Sequence, residues 1–282
     1  MQFFRSAILF TFAVLPATVF AQAREEARML VATQVLEEMT AMPDQGVPDW
    51  LLARAHGIAV VPDVVKVGLA VGGRRGKGVL VVRDSQGHWT NPVFITLTGG
   101  SFGWQAGVQS TDVILVFTSA AGVEGITDGK MTLGADASVA AGPVGRQASA
   151  ATDPNLNAEV YSYSRAMGLF AGVAIDGTAI TIDRKANAAF YNKRDVTAAE
   201  LMAEGAPTPP PAAERYLSTL DQATRTAAAA PATGEAPATP ASGGTAPVGT
   251  DPASAPTATP DSGAGATTFP MEDPNPGQEP PG

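Results

Sequence analysis

The sequence predicts an α+β fold: a curved, mainly antiparallel β-sheet or barrel-like core, with helices on its N-terminal side and a short helix at its C-terminal end. Three observations lead there. Apolar residues at helical spacing fill the stretch after residue 24, and strand-like runs studded with glycine take over after Gly57. Tight turn signals, Asp84-Ser85-Gln86-Gly87 and Asp176-Gly177, separate those runs. Thr197 with Glu200 three residues on forms a capping box for a closing helix over 197–204.

Taken in order, residues 1–23 read as a secretory signal peptide. Arg5 precedes an apolar stretch from Ala7 to Leu15, Pro16 ends it, and small residues at Val19-Phe20-Ala21 or Ala21-Gln22-Ala23 offer cleavage sites. The run is short for a bilayer span of about 20 residues, so export is expected, with the mature protein periplasmic or extracellular, or peripheral on a membrane. Residues 24–42 read as a helix with Ala27, Val31, Val35, Met39 and Met42 on one face and Leu30 and Leu36 off that stripe. A second short helix starts at Pro48 and is capped by Gly57, with Trp50, Leu51 and Ala55 inward.

Strands are expected over 57–61 and 64–71, split by Pro62, then over 77–83 and 88–98. Residues 103–109 and 112–118 read as a hairpin around Ser110-Thr111, and 170–175 and 178–183 as another around Asp176-Gly177. The folded domain is thus placed at 24–204. Residues 205–282 hold 16 of the 23 prolines, eight acids and two arginines, too little apolar content to offset chain entropy. They read as a disordered acidic tail, with a short helix around 212–229 and a role in spacing, solubility or contact with an envelope partner.

Composition removes several function classes. No cysteine means no disulfide scaffold, thiolate metal site or Cys nucleophile. Two histidines, His56 and His88, leave few ways to build a metal cluster or an imidazole mechanism, so no enzyme and no cofactor are expected. The net charge of −9, without a long basic run, argues against nucleic acid as a partner.

Gly72-Gly73-Arg74-Arg75-Gly76-Lys77-Gly78 resembles a phosphate loop but fails it. The first glycine of a Walker A would fall on Val71, and Gly78 replaces the magnesium-binding hydroxyl. What remains is charge: Lys66, Arg74, Arg75, Lys77 and Arg83, with no acid between Lys66 and Arg83. Two readings stand side by side. In one, the glycines turn backbone N–H groups outward and the arginines grip phosphate, making a site for an anionic lipid headgroup. In the other, a solvated basic turn keeps the strand edges soluble.

The order of motifs resembles one family. It runs through Ala55-His56-Gly57-Ile58-Ala59-Val60-Val61-Pro62, the Gly-Arg segment, Trp89-Thr90-Asn91-Pro92 and Gly100-Ser101-Phe102-Gly103-Trp104-Gln105-Ala106-Gly107. Leu133-Gly134-Ala135-Asp136 to Gly145-Arg146 and Tyr161-Ser162-Tyr163-Ser164-Arg165 to Val173 complete it. From about residue 29 to 202 the chain resembles the SYLF domain, a lipid- and actin-binding family. The resemblance implies binding of anionic or phosphoinositide-type lipid without catalysis. It also implies a membrane role for the helix at 24–42 and, beside it, the Arg74–Lys77 segment. Actin contact is not expected of an exported protein. The alternative is a cell-envelope structural or interaction protein without specific lipid binding. The shared glycines, among them Gly142 and Gly172, read as positions closed to a Cβ atom, and Tyr161, Tyr163, Trp89 and Trp104 as core.

Overall fold

A computed structural model describes residues 17–42, 46–68, 71–102, 107–127, 129–144 and 158–229. Helix α1 (Ala17–Ala41) starts earlier than expected and buries Met29, Ala32, Val35, Leu36 and Met39. The expected stripe is therefore rotated: Val31 is 40% exposed, whereas Leu36 is fully buried. Apolar residues lie on several sides of this helix, so periodicity alone did not select a face; the sheet beneath it did. Two of its four glutamates have cationic partners. Buried Glu25 pairs with Arg28 and Arg24, and Glu38 pairs with Arg165.

Helix α2 (Asp49–Ala53) buries Leu51 and Leu52. Four long strands follow: β1 (Gly57–Gly68), β2 (Val71–Val82), β3 (Val93–Phe102) and β4 (Gly107–Phe117). Then come α3 (Ala121–Thr127), β5 (Lys130–Thr132), β6 (Val139–Ala141), β7 (Val160–Ala166), β8 (Leu169–Gly172) and β9 (Thr178–Ile182). Helices α4 (Arg184–Phe190), α5 (Ala198–Met202) and α6 (Pro211–Ala229) close the chain. The strands form one curled sheet in the order β5-β9-β3-β2-β1-β4-β7-β6, with β8 also on β7. Every pairing is antiparallel except β6 with β7.

Pro62 does not split β1 in two. It marks a bulge, where the register to β2 shifts between Val60 and Val65 and the register to β4 between Val61 and Val64, with Asp63 at φ 49°. Ser110-Thr111 is not a turn either. It lies inside β4 against that bulge, so β4 pairs with β1 and β7 instead of folding on itself. Likewise β8 pairs with β7, and β9 with β3 and β5, so Asp176-Gly177 joins strands that are not neighbours.

The strands bury both faces. Val60, Val79, Val81, Phe94, Ile114, Val116, Tyr161 and Tyr163 lie under α1, α2, α4 and α6. Val61, Leu80, Ile95, Leu97, Leu115 and Phe117 lie against Val123 and Ile126 of α3, with Met131, Leu133 and Ile175. The continuous apolar runs follow from this two-sided cover.

The short helix placed in the tail is part of the core. Helix α6 buries Tyr216 and Leu220 completely, with Ala213, Ala223 and Ala227 beside them, so the folded body extends through Ala229 and not to 204. Residues 230–282 and 1–16 lie outside the described residues. Among the described residues, no helix is long and apolar enough to cross a membrane. Tyr161 and Tyr163 are buried as expected, Trp89 is half-buried, and Trp104 lies outside the described residues. Gly142 is closed to a side chain: a Cβ there would sit 2.1 Å from the Tyr163 ring.

Candidate functional site

The segment expected as an anion-binding turn, residues 72–78, is the first half of β2. Strand alternation therefore sends Arg74 and Arg75 to opposite faces. Arg74 stands opposite Lys66 of β1, and Arg75 opposite Val65. The Arg74 guanidinium is partly buried, its Nε has no hydrogen-bond partner among the described residues, and burial pulls its pKa below the ordinary value. Lys66 and Arg75 are exposed.

Lys77 is committed elsewhere. Its ammonium pairs with Asp183, which also accepts the Ala186 N–H at the start of α4. Burial pushes the Asp183 carboxyl up, but the Lys77 hydrogen bond, the Ala186 N–H and the Lys77 and Arg28 charges together hold it below the usual range. Arg83 follows the far end of β2, nine residues from Arg74, or about 30 Å along a strand. There it stacks on Trp89, 4.2 Å from the ring centroid.

The five cations thus do not converge on one concave corner. The glycines serve the sheet instead. A Cβ at Gly78 would sit 2.2 Å from the Val60 carbonyl oxygen, and one at Gly76 2.7 Å from Val61 and Val64 side-chain carbons. Both positions let β2 press against the bulged part of β1.

What the fold does bring together is apolar. Past the bulge, β1 to β4 extend toward one end of the sheet, and Val65, Val67 and Val108 are 39%, 51% and 73% exposed there. Val67 and Val108 are direct cross-strand partners, so the three share one face with Arg75. The register of β4 with β7, Asp112 opposite Arg165, carries the β7–β8 turn to the same end. That turn holds Met167 fully exposed and Leu169 61% exposed, with Met167 at φ 50°. Five of the nine exposed large hydrophobics among the described residues therefore gather at this end, with Arg75 on the face of the three valines and Lys66 on the opposite face of β1. Reading 64–71 as a uniform apolar strand missed this, because nothing in the run marks where the covering helices stop.

A clamp fixes the base of this end. The Asp63 backbone N–H donates to Asp112 Oδ1 at 3.0 Å, Arg165 donates to Asp112 Oδ2 at 3.0 Å, and Arg165 also pairs with Glu38 of α1. The bulge, β4, β7 and α1 are thus tied at one point. The remaining exposed apolar residues among those nine are Phe20, Leu30 and Val31 on α1, and Val144. No group of three or more His, Asp or Glu among the described residues is placed to hold a metal.

The chain is thus a curled, almost wholly antiparallel sheet under an N-terminal helix, with Tyr161 and Tyr163 buried on the helical side. Residues 98–223 match the family described as Ysc84: Las17-binding protein actin regulator, and the folded part of this chain belongs to that family, also called SYLF. LAS seventeen-binding protein 3 of Saccharomyces cerevisiae is 34% identical over 210 residues, covering 73% of this chain and 45% of the yeast protein. Protein YSC84 of the same yeast is 38% identical over 181 residues, 63% of this chain and 38% of that protein. Human SH3 domain-containing YSC84-like protein 1 is 30% identical over 205 residues, 72% of this chain and 58% of that protein. The chain spans about half the length of the curated relatives it matches.

Proposed function

We propose that this is an exported, non-catalytic domain that seats the hairpin end of its sheet on an anionic membrane surface. The observation that carries this reading is the gathering of Val65, Val67, Val108, Met167 and Leu169 at one end, with Arg75 on the valine face and Lys66 exposed at the same end on the opposite face. An exposed apolar patch bordered by charge marks an interaction site. Fully burying a side chain such as Val or Met is worth about 1.5–3 kcal/mol. Each cation near an anionic leaflet adds about 1 kcal/mol. Partial burial of five such residues with two cations gives reversible, peripheral attachment.

Vesicle co-sedimentation tests it. The full chain binds phosphatidylcholine vesicles containing phosphatidylserine. The double variant Val67→Ser/Val108→Ser loses most of that binding, and Lys66→Gln/Arg75→Gln loses its salt-sensitive part. Equal binding by both variants would remove this end from contact with membrane.

A second reading rests on the family match, whose description carries actin regulation and Las17 binding for the relatives. For this chain it supports an actin-linked partner in place of export. Co-sedimentation with actin filaments, beside N-terminal sequencing of the protein from its native source, separates the two. An N-terminus at Gln22 or Arg24 goes with export; pelleting with filaments goes with the actin-linked reading.

A further inference from the structure

A second site lies at the opposite end of the same strands. A cavity of about 770 Å³ opens between the α2–β1 link, the turn after β2 and one side of α6. That volume suits a small organic ligand. Its wall carries Arg54, Arg83 and Arg225 together with His56 and His88, the only histidines of the chain. Among the described residues Asp221 is the one carboxylate in this wall, engaged by Arg225 at 2.7 Å, while Asp84, outside the wall, lies 3.8 Å from His88. A chain of net charge −9 thus places a net positive lining here.

Arg83 is held in position before any ligand arrives. Its Nε donates to the Ala55 carbonyl at 3.0 Å, one terminal nitrogen donates to the Gly87 carbonyl at 2.7 Å, and its plane stacks on Trp89. A guanidinium has five N–H donors, so three remain for an anion. The indole N–H of Trp89, in the same wall, is buried with no acceptor among the described residues. Ala55, Leu217 and Ala228 supply an apolar side. Fixed donors beside an apolar wall suit a ligand with one charged end.

We propose that this cavity binds a small, water-soluble organic anion, a carboxylate or phosphate on an apolar body, with Arg83 gripping the charged group. The proposal is independent of the membrane reading, because no residue of the hairpin end takes part.

Calorimetry on the full chain with phenyl phosphate, benzoate, inorganic phosphate and dihexanoyl phosphatidate tests it, with tryptophan fluorescence as a second readout. Phenyl phosphate or benzoate binds saturably and more tightly than inorganic phosphate. Arg83→Gln weakens that binding about tenfold or more, and Asp221→Asn, which removes the opposing charge, tightens it by roughly threefold. Trp89→Phe abolishes the fluorescence change, and Val67→Ser/Val108→Ser leaves binding as it was. The Asp221→Asn gain is a readout that misfolding cannot imitate. No saturable binding up to roughly 10 mM overturns the proposal, as do unchanged affinities in both Arg83→Gln and Asp221→Asn. Inorganic phosphate binding as tightly as phenyl phosphate overturns the apolar body. Binding of the phosphatidate alone overturns the soluble ligand in favour of a lipid headgroup.

Discussion

Asn187 is a polar residue with no exposure, and its neighbours explain why it is there. Its side-chain oxygen accepts the Phe94 N–H at 2.8 Å, while the Phe94 carbonyl accepts the Asp183 N–H at 2.9 Å. Helix α4 is thereby stitched to β3 where Phe94 and Phe190 meet edge to face, 5.0 Å apart. Removing the amide leaves a buried N–H without an acceptor. Asn187→Ala is expected to lower stability by about 1–3 kcal/mol, read as a lower denaturation midpoint at unchanged slope. Gly78→Ala drives a methyl into the Val60 carbonyl and is expected to cost about 3 kcal/mol or more. Asp183 gives a pH signature. Its folded-state pKa is depressed, so its contribution is present above the unfolded carboxylate value of about 4 and is lost as pH falls through the folded value. Melting temperatures measured from pH 6 downward should fall less steeply in Asp183→Asn than in the parent chain.

At the scale of elements, helix α6 is the clearest test. Tyr216 and Leu220 lie at the bottom of the contact with α1 and α2, and burial raises the Tyr216 phenol well above its ordinary pKa. A chain ending at residue 204 is expected to lose its cooperative unfolding transition, while one ending at residue 229 keeps it. Circular dichroism on both truncations decides this. The sequence legibly carried α1, α2, β1, the second half of β2, β3, β4, β8, β9 and the capped start of α5, because each announces itself by apolar spacing, a turn or a cap: Thr197 does accept the Glu200 N–H at 3.1 Å. It carried no sign of β5, β6 or β7, which are short or lack a flanking turn signal. It placed α6 as a helix around 212–229 but assigned it to the tail and not to the core, because Pro207 to Pro211 and the proline-rich tail dominate the local composition. It hid the pairing of β4 because Ser110-Thr111 has turn chemistry, yet the bulge opposite absorbs it. The cations were legible as residues but not as a site. Whether residues 72–78 form a turn or a strand decides which face each arginine takes, and the glycines, read as loop formers, are there for strand-to-strand approach.

Across the whole molecule, the long strands connect two chemically different ends. One carries valines, Met167 and exposed cations; the other carries the arginine-lined cavity. Because the chain is acidic overall, the proposed attachment to an anionic leaflet would work against long-range repulsion while local cations attract. Vesicle binding is therefore expected to weaken when phosphatidylserine is present and salt is raised to about 0.5 M, where the screening length falls below roughly 5 Å. An apolar component survives that salt and vanishes only in Val67→Ser/Val108→Ser. The remote cavity should be indifferent to vesicle composition.

The bulge at Asp63 also sets a length. Beyond it, β1 runs from Val65 to Gly68, which at strand rise is an overhang of about 10 Å. The polar layer on each side of a bilayer is about 5–8 Å deep. In the proposed membrane-seated state the overhang is long enough to reach acyl chains with the helical cover dry-docked above the headgroups, and penetration depth is then metered by the sheet and not by how firmly the helices are drawn in.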